Sequence, residues 1–257
     1  MTLRLSTGLR NAVLDNGSIK DALQGGKILI YTGVQPATAD TAPSGTLLAT
    51  ITGASANHTS EVPASGSVTL ATGAGGAVTS ISVGGVVITD NAVPFNSTLA
   101  QTATDLAVEI NQAASNPEYT ASAAGAVVTL TAKRGAGASP NALGVAGVLT
   151  TMTATYAAFA GGVDTVNGLL FGAAASGALP KHPTQNWSGI AAATGTAGWF
   201  RFVGPVADSN VLDSTASQIR LDGAISTSGQ QLNMSSTAVT AAATQTITAF
   251  PITLPTS

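Results

Sequence analysis

The sequence predicts a mainly β protein, in which a β-sandwich or jelly-roll-like domain with an N-terminal helix is interrupted by an inserted small α+β module. Three observations predict this fold class. Runs in which Val or Ile alternates with Thr or Ser recur along the chain, as in Ala77–Val83, and this period of two is typical of half-buried strands. Turn residues separate the runs, as Gly84-Gly85 does ahead of Val86. Helical spacing occurs near the N-terminus and again within the middle of the chain.

The N-terminal segment is predicted to be helical and to be followed by strands. Leu5, Leu9 and Val13 are spaced four apart, and Ser18–Asp21 matches a capping box at the start of a helix. We therefore expect one helix or two short helices within residues 6–24. Strands are expected next over residues 27–32 and 46–52.

The middle of the chain combines strands with one amphipathic helix. Apolar residues share one face of a helix predicted over Thr98–Ala114, and Asn96 or Ser97 is available as its N-cap. The strands expected around this helix are residues 66–70, 77–83, 119–122 and 126–131, of which the last two form a hairpin about Gly125.

Large side chains and prolines are unevenly distributed. Both Trp, four of the six Phe and seven of the eleven Pro lie before position 60 or beyond position 165, so the outer segments look like one aromatic-supported core. We expect residues 1–57 and 165–257 to form a discontinuous anchor domain, with residues 58–164 as the insertion, because exposed loop tips tolerate insertions. The later strands of the anchor domain are expected over residues 198–203, 218–222 and 244–253.

The composition argues against several classes of function. Charged residues make up 8% of the chain, the formal net charge is -3, and the nine Lys and Arg are scattered, so a nucleic-acid partner is not expected. Cysteine is absent, which excludes disulfides, thiolate catalysis and thiolate metal sites. No run has the apolar length of a membrane helix or a secretory signal, so no membrane partner is expected.

The sequence offers few candidates for catalysis. His58 and His182 are the side chains that titrate near neutral pH, and each stands in a polar segment without a carboxylate nearby in sequence. Asp105 and Glu109 are four apart on the predicted helix, which suits a catalytic pair or a metal clamp but equally suits a solvated outer helix surface. No Ser or Thr stands in the His and Asp order of an acyl-transfer site. We therefore expect no enzymatic activity and assign no catalytic residue.

Metal and cofactor sites are not expected either. Asp208–Asp213 collects oxygen ligands as calcium loops do, yet it lacks the central Gly and the distal Glu of an EF-hand. Gly73–Gly76 and Gly135–Ala138 are Gly-rich, but neither is followed by the Lys-Ser/Thr of a phosphate-binding loop. Turns or hinges explain both segments.

Aromatic residues near position 200 mark a candidate interface. Alternation puts Trp199 and Arg201 on the strand face opposite to Phe200 and Phe202. One face is expected to pack in the core and the other to meet a partner, while a sugar-stacking platform of the aromatic rings is the alternative. The candidate interface residues are Tyr31, Trp199, Arg201 and Phe250.

Several segments resemble a group of small tailed-phage structural proteins. In the outer parts of the chain they are Leu9–Leu14, Leu29–Gly33 with Pro36-Ala37, Gly45–Leu48, Gly198–Phe202, Asp222-Gly223, Thr227–Gly229 and Leu232–Ser235. The middle looks like a repeat-type module spliced into many phage virion and tail proteins, on the basis of Val78–Gly85, the helix at 98–114, Pro117–Thr120 and Ala160–Asp164. The resemblance covers most of the chain and carries no catalytic residues. It implies a virion protein made in the host bacterial cytoplasm, with the tail, the neck or collar and the capsid exterior all left open.

These observations favour one function and leave two alternatives. We expect a non-enzymatic virion protein that forms homo-oligomers and docks to other phage structural proteins, with edge strands such as 27–32 and 244–253 pairing with neighbouring subunits. The first alternative is a peripheral receptor- or glycan-binding module of the virion, with a host surface glycan as its possible ligand. The second is a hydrolase of cell walls or polysaccharide, which would draw on Asp105, Glu109 and the two histidines.

Overall fold

A computed structural model describes residues 3–15, 17–113 and 118–253. The fold is mainly β, as the sequence predicts, with 40% of the chain in strands and 11% helical. Within the described ranges, no helix has the length and apolar character needed to cross a membrane. The predicted helix end at Ala114 and Pro117 of the phage-like segment lie outside the described residues.

The helices and strands are short and numerous. The helices are α1 (Thr7–Asp15), α2 (Ile19–Leu23) and α3 (Leu99–Gln112). The first strands are β1 (Arg4–Leu5), β2 (Lys27–Thr32), β3 (Leu47–Gly53), β4 (Ser65–Leu70), β5 (Ala77–Val83), β6 (Val86–Val87), β7 (Val93–Pro94), β8 (Tyr119–Ala124) and β9 (Val127–Ala132). The later strands are β10 (Val145–Thr150), β11 (Ala154–Ala160), β12 (Ala178–Leu179), β13 (Trp187–Ile190), β14 (Gly195–Val203), β15 (Arg220–Ser226), β16 (Leu232–Asn233), β17 (Ala238–Val239), β18 (Thr244–Ile247) and β19 (Ile252–Thr253).

The chain divides into two compact units. The split unit is built from the residues up to Glu61 together with those from Thr165 onward, and the inserted unit comprises Val62–Asp164. The first boundary therefore lies at position 61, whereas the sequence suggests position 57. Thr59 and Val166 exchange two backbone hydrogen bonds of 3.1 Å. The two segments of the split unit thus lie side by side where the insertion begins and ends.

A nine-stranded sheet forms the framework of the split unit. Its order is β1-β15-β14-β2-β3-β13-β18, with β16 beside β15 and β17 beside β14. Neighbours along that order pair antiparallel. The prediction that residues 27–32 form an edge strand is wrong, because β2 lies between β14 and β3. Four consecutive residues of β2 are buried, as a strand covered on both faces requires.

Two short helices lie between β1 and β2 in the chain, which decides between the one-helix and two-helix predictions. α2 begins at the predicted capping box, in which the Ser18 side chain accepts from the Asp21 N–H while the Asp21 side chain accepts from the Ser18 N–H. α1 is capped from a distant loop, because the Thr7 N–H donates to the Asp40 carboxylate at 3.0 Å. Burial opposes ionisation of Asp40, but the hydrogen bonds from Thr7 and Ser214 hold its pKa below the ordinary value.

Aromatic side chains fill the core on one face of the nine-stranded sheet. Phe200 and Phe202 of β14 and Trp187 of β13 point into this core, and Phe171 and Phe250 reach it from outside the named strands. The ring centroids of the interacting pairs are 5.3 to 6.2 Å apart, within the range of favourable aromatic contacts. All five aromatic residues therefore come from the segment beyond Thr165, and the N-terminal segment adds aliphatic side chains such as Ile28 and Ile30 to the same core.

The inserted unit contains two four-stranded sheets and one helix. One sheet has the order β10-β5-β6 with β7 beside β5, and the other has the order β11-β4-β9-β8. The N-cap of α3 is Thr98, whose side chain accepts from the Gln101 N–H at 3.1 Å. The predicted cap Ser97 has a φ of 55°, whereas Thr98 is extended as an N-cap should be. α3 buries Leu106 and Ile110 in the core of this unit.

Three longer strands, β10, β11 and β13, were not predicted from the sequence. They contain Ala and Gly, which are weak strand formers. A side chain on Gly147 would come within 2.8 Å of the Tyr156 hydroxyl, and one on Gly189 would come within 2.0 Å of the Thr50 carbonyl. These glycines allow a close approach of neighbouring strands, which is a tertiary requirement that strand propensity does not reveal.

Candidate functional site

The face of the nine-stranded sheet opposite to the aromatic core carries the candidate site, and we call it the second face. Trp199 belongs to an apolar cluster distinct from the core cluster that holds Phe200 and Phe202, which confirms the predicted alternation along β14. Arg201 lies on the second face with Trp199, and Asp222 of β15 is its cross-strand partner. The second face consists of two halves, one covered by loops and one open.

Loops cover the part of the second face formed by β2, β14 and β15, which we call the covered half. Trp199 stacks on Tyr31 with ring centroids 4.6 Å apart. Its indole N–H donates to the Ser44 carbonyl at 3.3 Å, in the loop that follows β2. Trp199 is 0% exposed, so the covering loops exclude solvent from this side of the sheet as fully as the core does from the other.

Arg201 is at the centre of the polar contacts of the covered half. Its side chain is 0% exposed and donates two hydrogen bonds of 2.7 Å to the Asp222 carboxylate. It also donates to Oδ1 of Asn210 at 3.1 Å and to the Thr41 carbonyl at 2.9 Å. The guanidinium lies 5.4 Å from the centroid of the Trp199 ring. Charge-assisted, two-point pairing of this kind fixes both position and orientation, so Arg201 fastens two loops to the sheet.

A second ion pair lies on the same half. Arg220 donates at 2.6 and 2.8 Å to the two carboxylate oxygens of Asp208, and at 3.1 Å to the Leu212 carbonyl. Burial acts to raise the pKa of Asp208, but the contacts with Arg220 outweigh it and hold the pKa below the ordinary value. Burial raises the pKa of Asp222, with Arg201 acting in the opposite direction. The four charged side chains are paired with one another, which suits a structural network better than a catalytic one.

The interface prediction made from the sequence is corrected by this arrangement. Phe250 belongs to the aromatic core, and Tyr31, Trp199 and Arg201 lie buried in the covered half. None of the four is exposed on the surface of the folded chain: loops cover Tyr31, Trp199 and Arg201 on the second face, and Phe250 lies in the aromatic core on the other face. Burial of Trp199, together with its neighbours on β14, likewise removes the predicted sugar-stacking platform.

The calcium-like segment 208–213 is engaged within the protein. Oxygens of Asp208 and Asn210 accept from the two arginines, and Asp213 Oδ1 accepts from the Ala42 N–H at 2.7 Å. In the part of the chain that the structure describes, no three His, Cys, Asp or Glu side chains come together as a metal ion would need. The oxygen-rich sequence is therefore explained by loop attachment.

On the remaining part of the second face Thr52 and Ser188 are buried, Thr50 is half-buried, and Ile190, Thr244 and Thr246 are exposed. We call Thr50, Ile190, Thr244 and Thr246 the open half. These residues lie in register across β3, β13 and β18, and Ile190 is 59% exposed. A shallow depression of about 340 Å³ adjoins them. Its lining residues are Lys27, Thr50, Thr52, Ser55, Ala56, Asn57, His58 and Ile190.

β18 ends the sheet beside the open half, which confirms the predicted edge position for Thr244–Ile247. The rest of the predicted strand 244–253 does not continue this edge, because Ile252–Thr253 pairs with β12 in a separate two-stranded sheet. The Ala191 N–H donates to the Ala243 carbonyl, whereas the Ala192 N–H donates to the Leu48 carbonyl. Antiparallel ladders alternate in this way, so odd-numbered residues of β13 bond to β18 and even-numbered residues bond to β3. The register between β13 and β18 then directs the backbone N–H and C=O of Thr246 away from the sheet.

The two carboxylates on α3 do not form a pair. Asp105 accepts from the Asn96 side-chain amide at 2.7 Å, and this hydrogen bond is the main cause that lowers its pKa. Glu109 accepts from the backbone N–H groups of Asp90 and Asn91 at 2.9 and 2.6 Å. Each carboxylate therefore supports a neighbouring loop of the inserted unit.

The two histidines contact neutral oxygens. Nε2 of His58 lies 2.9 Å from the Gly25 carbonyl, and Nδ1 of His182 lies 3.2 Å from the Thr184 hydroxyl. A catalytic imidazole is usually oriented by a carboxylate, and neither of these hydrogen bonds supplies one.

Two residues of the open half, Ile190 and Thr246, were not singled out from the sequence. The strand that carries Thr246 was predicted as an edge, but β13 was not predicted as a strand, so the exposed surface across both strands was missed. Searches against models of protein families, against curated proteins and against solved structures found no match to this chain.

Proposed function

We propose that the chain is a non-enzymatic structural component of a tailed-phage particle, which acts by self-assembly and by docking to other virion proteins. The observation that carries the proposal is the outward-facing edge strand β18 beside the open half of the sheet. Backbone groups that point away from a sheet edge accept another strand through main-chain hydrogen bonds. The phage particle is proposed as the assembly because several segments of the sequence resemble phage structural proteins.

The chemistry of the edge favours contact with another subunit. Proteins commonly protect an exposed edge with Lys, Pro or a bulge, and Thr244–Ile247 contains neither residue type and pairs with β13 without a register shift. Two such strands from neighbouring subunits would meet without like-charge repulsion. Thr is also a favourable cross-strand partner of Thr.

The low charge of the surroundings acts in the same direction. Lys27 is the one ionisable side chain besides His58 among the residues that line the adjoining depression. Burying neutral Thr and Ile side chains against a partner avoids the desolvation cost that charged groups carry. Short side chains also lose little conformational entropy when they are fixed in a contact.

The second candidate is the glycan-binding function, and the depression is the observation that favours it. Hydroxyl, amide and ammonium groups of Thr50, Ser55, Asn57 and Lys27 line it, and such groups bind sugar hydroxyls. Saturable binding on a glycan array that is lost in Asn57→Ala would support this function. Binding of no glycan would leave assembly as the function of the open half.

Self-assembly is tested by replacing Thr246. Thr246→Pro removes an N–H that points outward and so spares the ladder with β13, and Thr246→Ser is the matched control that keeps this N–H. In sedimentation velocity, we expect oligomers for the wild-type protein and for Thr246→Ser, and monomers for Thr246→Pro. Circular dichroism should be the same for all three proteins.

Two results would count against the proposal. A wild-type protein that remains monomeric at every soluble concentration would contradict self-assembly, and unchanged oligomers in Thr246→Pro would show that β18 is not the contact. Virion membership is tested separately, by mass spectrometry of density-purified phage particles from the source strain, in which this chain is expected as a stoichiometric component.

A further inference from the structure

Gly25 is a point of attachment within the split unit. Its carbonyl accepts from Nε2 of His58 at 2.9 Å and from the Thr165 hydroxyl at 2.9 Å, and its N–H donates to the Leu169 carbonyl at 2.8 Å. His58 stands in the segment that leads to the insertion, and Thr165 stands in the segment that returns from it. One carbonyl therefore fastens both segments of the split unit at the place where the chain leaves and re-enters it.

The position admits little rearrangement. Gly25 has a φ of 83°, which favours glycine, and a side chain there would come within 2.8 Å of Thr165. A side chain on Gly168 would come within 2.1 Å of the Gly25 carbonyl oxygen. The returning segment is thus packed tightly against this turn, and the leading segment is joined to the turn by the hydrogen bond of His58.

The other ring nitrogen of His58 has no such partner. Nδ1 is buried and has no hydrogen-bond partner within the described structure. Because Nε2 donates to a carbonyl, the neutral ring keeps its lone pair on Nδ1. A buried acceptor without a partner carries a modest cost, whereas a buried N–H⁺ donor without a partner carries a much larger one.

The charges around the ring also disfavour a proton on Nδ1. Lys27 of β2 is the charged group that acts on His58, and the residues that line the depression with it are uncharged. Burial first, and Lys27 in addition, lower the pKa of His58, against the hydrogen bond to Gly25.

We propose that His58 is an acid-sensitive anchor: a proton taken from solvent by Nδ1 releases the ring from its site and frees residues 57–61 from Gly25. The step forms one N–H bond and breaks no covalent bond. The released segment is the one that leads into the inserted unit, so acid loosens the junction of the split unit while the two cores need not unfold. His182, whose Nδ1 contacts a hydroxyl, is the internal comparison.

The sign and the size of the effect follow from proton linkage. The neutral form of His58 is favoured in the folded state, so its contribution is present above the ordinary histidine pKa and is lost as the pH falls through the lowered folded value. A single proton changes the opening equilibrium by at most about tenfold per pH unit. The effect therefore lies below about pH 6.5, the reference value for an unperturbed histidine.

The experiment follows local opening in the full-length protein by amide hydrogen exchange, corrected for the intrinsic pH dependence of exchange. The reporters are the amide N–H groups of Thr59 and Val166, each of which donates to the carbonyl of the other residue. In the wild type and in His182→Gln, opening is expected to increase by up to about tenfold per pH unit as the pH falls from about 6.5 to the lower midpoint of His58. In His58→Gln, which keeps a side-chain N–H for Gly25 but does not titrate, opening is expected to be independent of pH.

The titration of His58 can also be measured directly in the wild-type protein. With two histidines in the chain, the two Cε1–H signals in an NMR titration are resolved and assigned with His182→Gln. The proposal expects the His58 midpoint to lie below about 6.5, the reference value for an unperturbed histidine. A His58 midpoint at or above that value, or pH-dependent opening that persists in His58→Gln, would overturn it.

Discussion

The covered half and the open half lie on one face of one sheet, yet they are built from different residues. The covered half carries two arginines and two aspartates paired beneath loops, and Arg201 there is 0% exposed. The open half carries Thr and Ile side chains, and Ile190 is 59% exposed. The same strand geometry therefore serves attachment of loops at one end of the sheet and leaves a surface for contacts at the other.

Because of this difference, the two halves are expected to contribute to different free energies, that of folding and that of association. Charges that are buried away from water must be paired. Removal of one partner leaves the other charge buried and unpaired, which strongly lowers the free energy of unfolding. Substitutions of exposed side chains on a sheet surface change the free energy of unfolding little. Substitutions in the covered half should therefore affect folding, and those in the open half should affect association.

The largest effect is expected from Arg201→Met, which leaves Asp222 buried without its cation. We expect the free energy of unfolding of the split unit to fall by about 3–5 kcal/mol. Both tryptophans belong to this unit, so urea unfolding followed by Trp fluorescence reports on it. The double variant Arg201→Met with Asp222→Leu should recover much of the loss, and a loss below about 1 kcal/mol for the single variant would show that the network does not hold the loops.

A smaller effect is expected from Tyr31→Phe. The side-chain amide of Asn210 donates to the Tyr31 hydroxyl at 2.6 Å, and the substitution leaves this buried donor without an acceptor while the ring still stacks on Trp199. The expected cost is about 1–3 kcal/mol by the same urea unfolding measurement. Wild-type stability in this variant would mean that Asn210 is held by Arg201 alone.

The smallest effect on stability is expected from Ile190→Thr in the open half. Thr keeps the β-branched shape that strands favour, so the free energy of unfolding should change by no more than about 0.5 kcal/mol. Sedimentation velocity should nevertheless show weaker association, because an exposed apolar side chain is removed from the proposed contact. A large loss of stability without a change in association would place Ile190 in the fold and not in the contact.

Periodicity predicted many elements of the fold. Lys27–Thr32 and Ala77–Val83 are strands over the predicted residues, and the capping box at Ser18 begins α2. These predictions depend on contacts between residues close in sequence, which period and turn chemistry encode. β10 and β13 were missed because each contains a glycine that is required by the close approach of a neighbouring strand. Local strand propensity does not include such tertiary requirements.

The candidate site was predictable only in part. Alternation in β14 correctly placed Trp199 and Phe200 on opposite faces of the sheet, and so predicted that both faces are used. What lies over that face depends on loops whose sequences have no period, and on Arg201 pairing with Asp222 across strands. Of the predicted interface residues, Tyr31, Trp199 and Arg201 are buried for this reason, whereas Phe250 is buried in the aromatic core.

The sequence by itself determined the strand-rich class, the helices at the N-terminus and in the insertion, and the pooling of aromatic residues in the outer segments, because hydrophobic pattern and composition fix which surfaces must be buried. Only the tertiary structure decided which part of the second face is covered, that β2 is a central strand, and that His58 contacts Gly25. Those outcomes depend on hydrogen bonds and ion pairs between distant residues, whose partners are chosen by geometry and not by spacing along the chain.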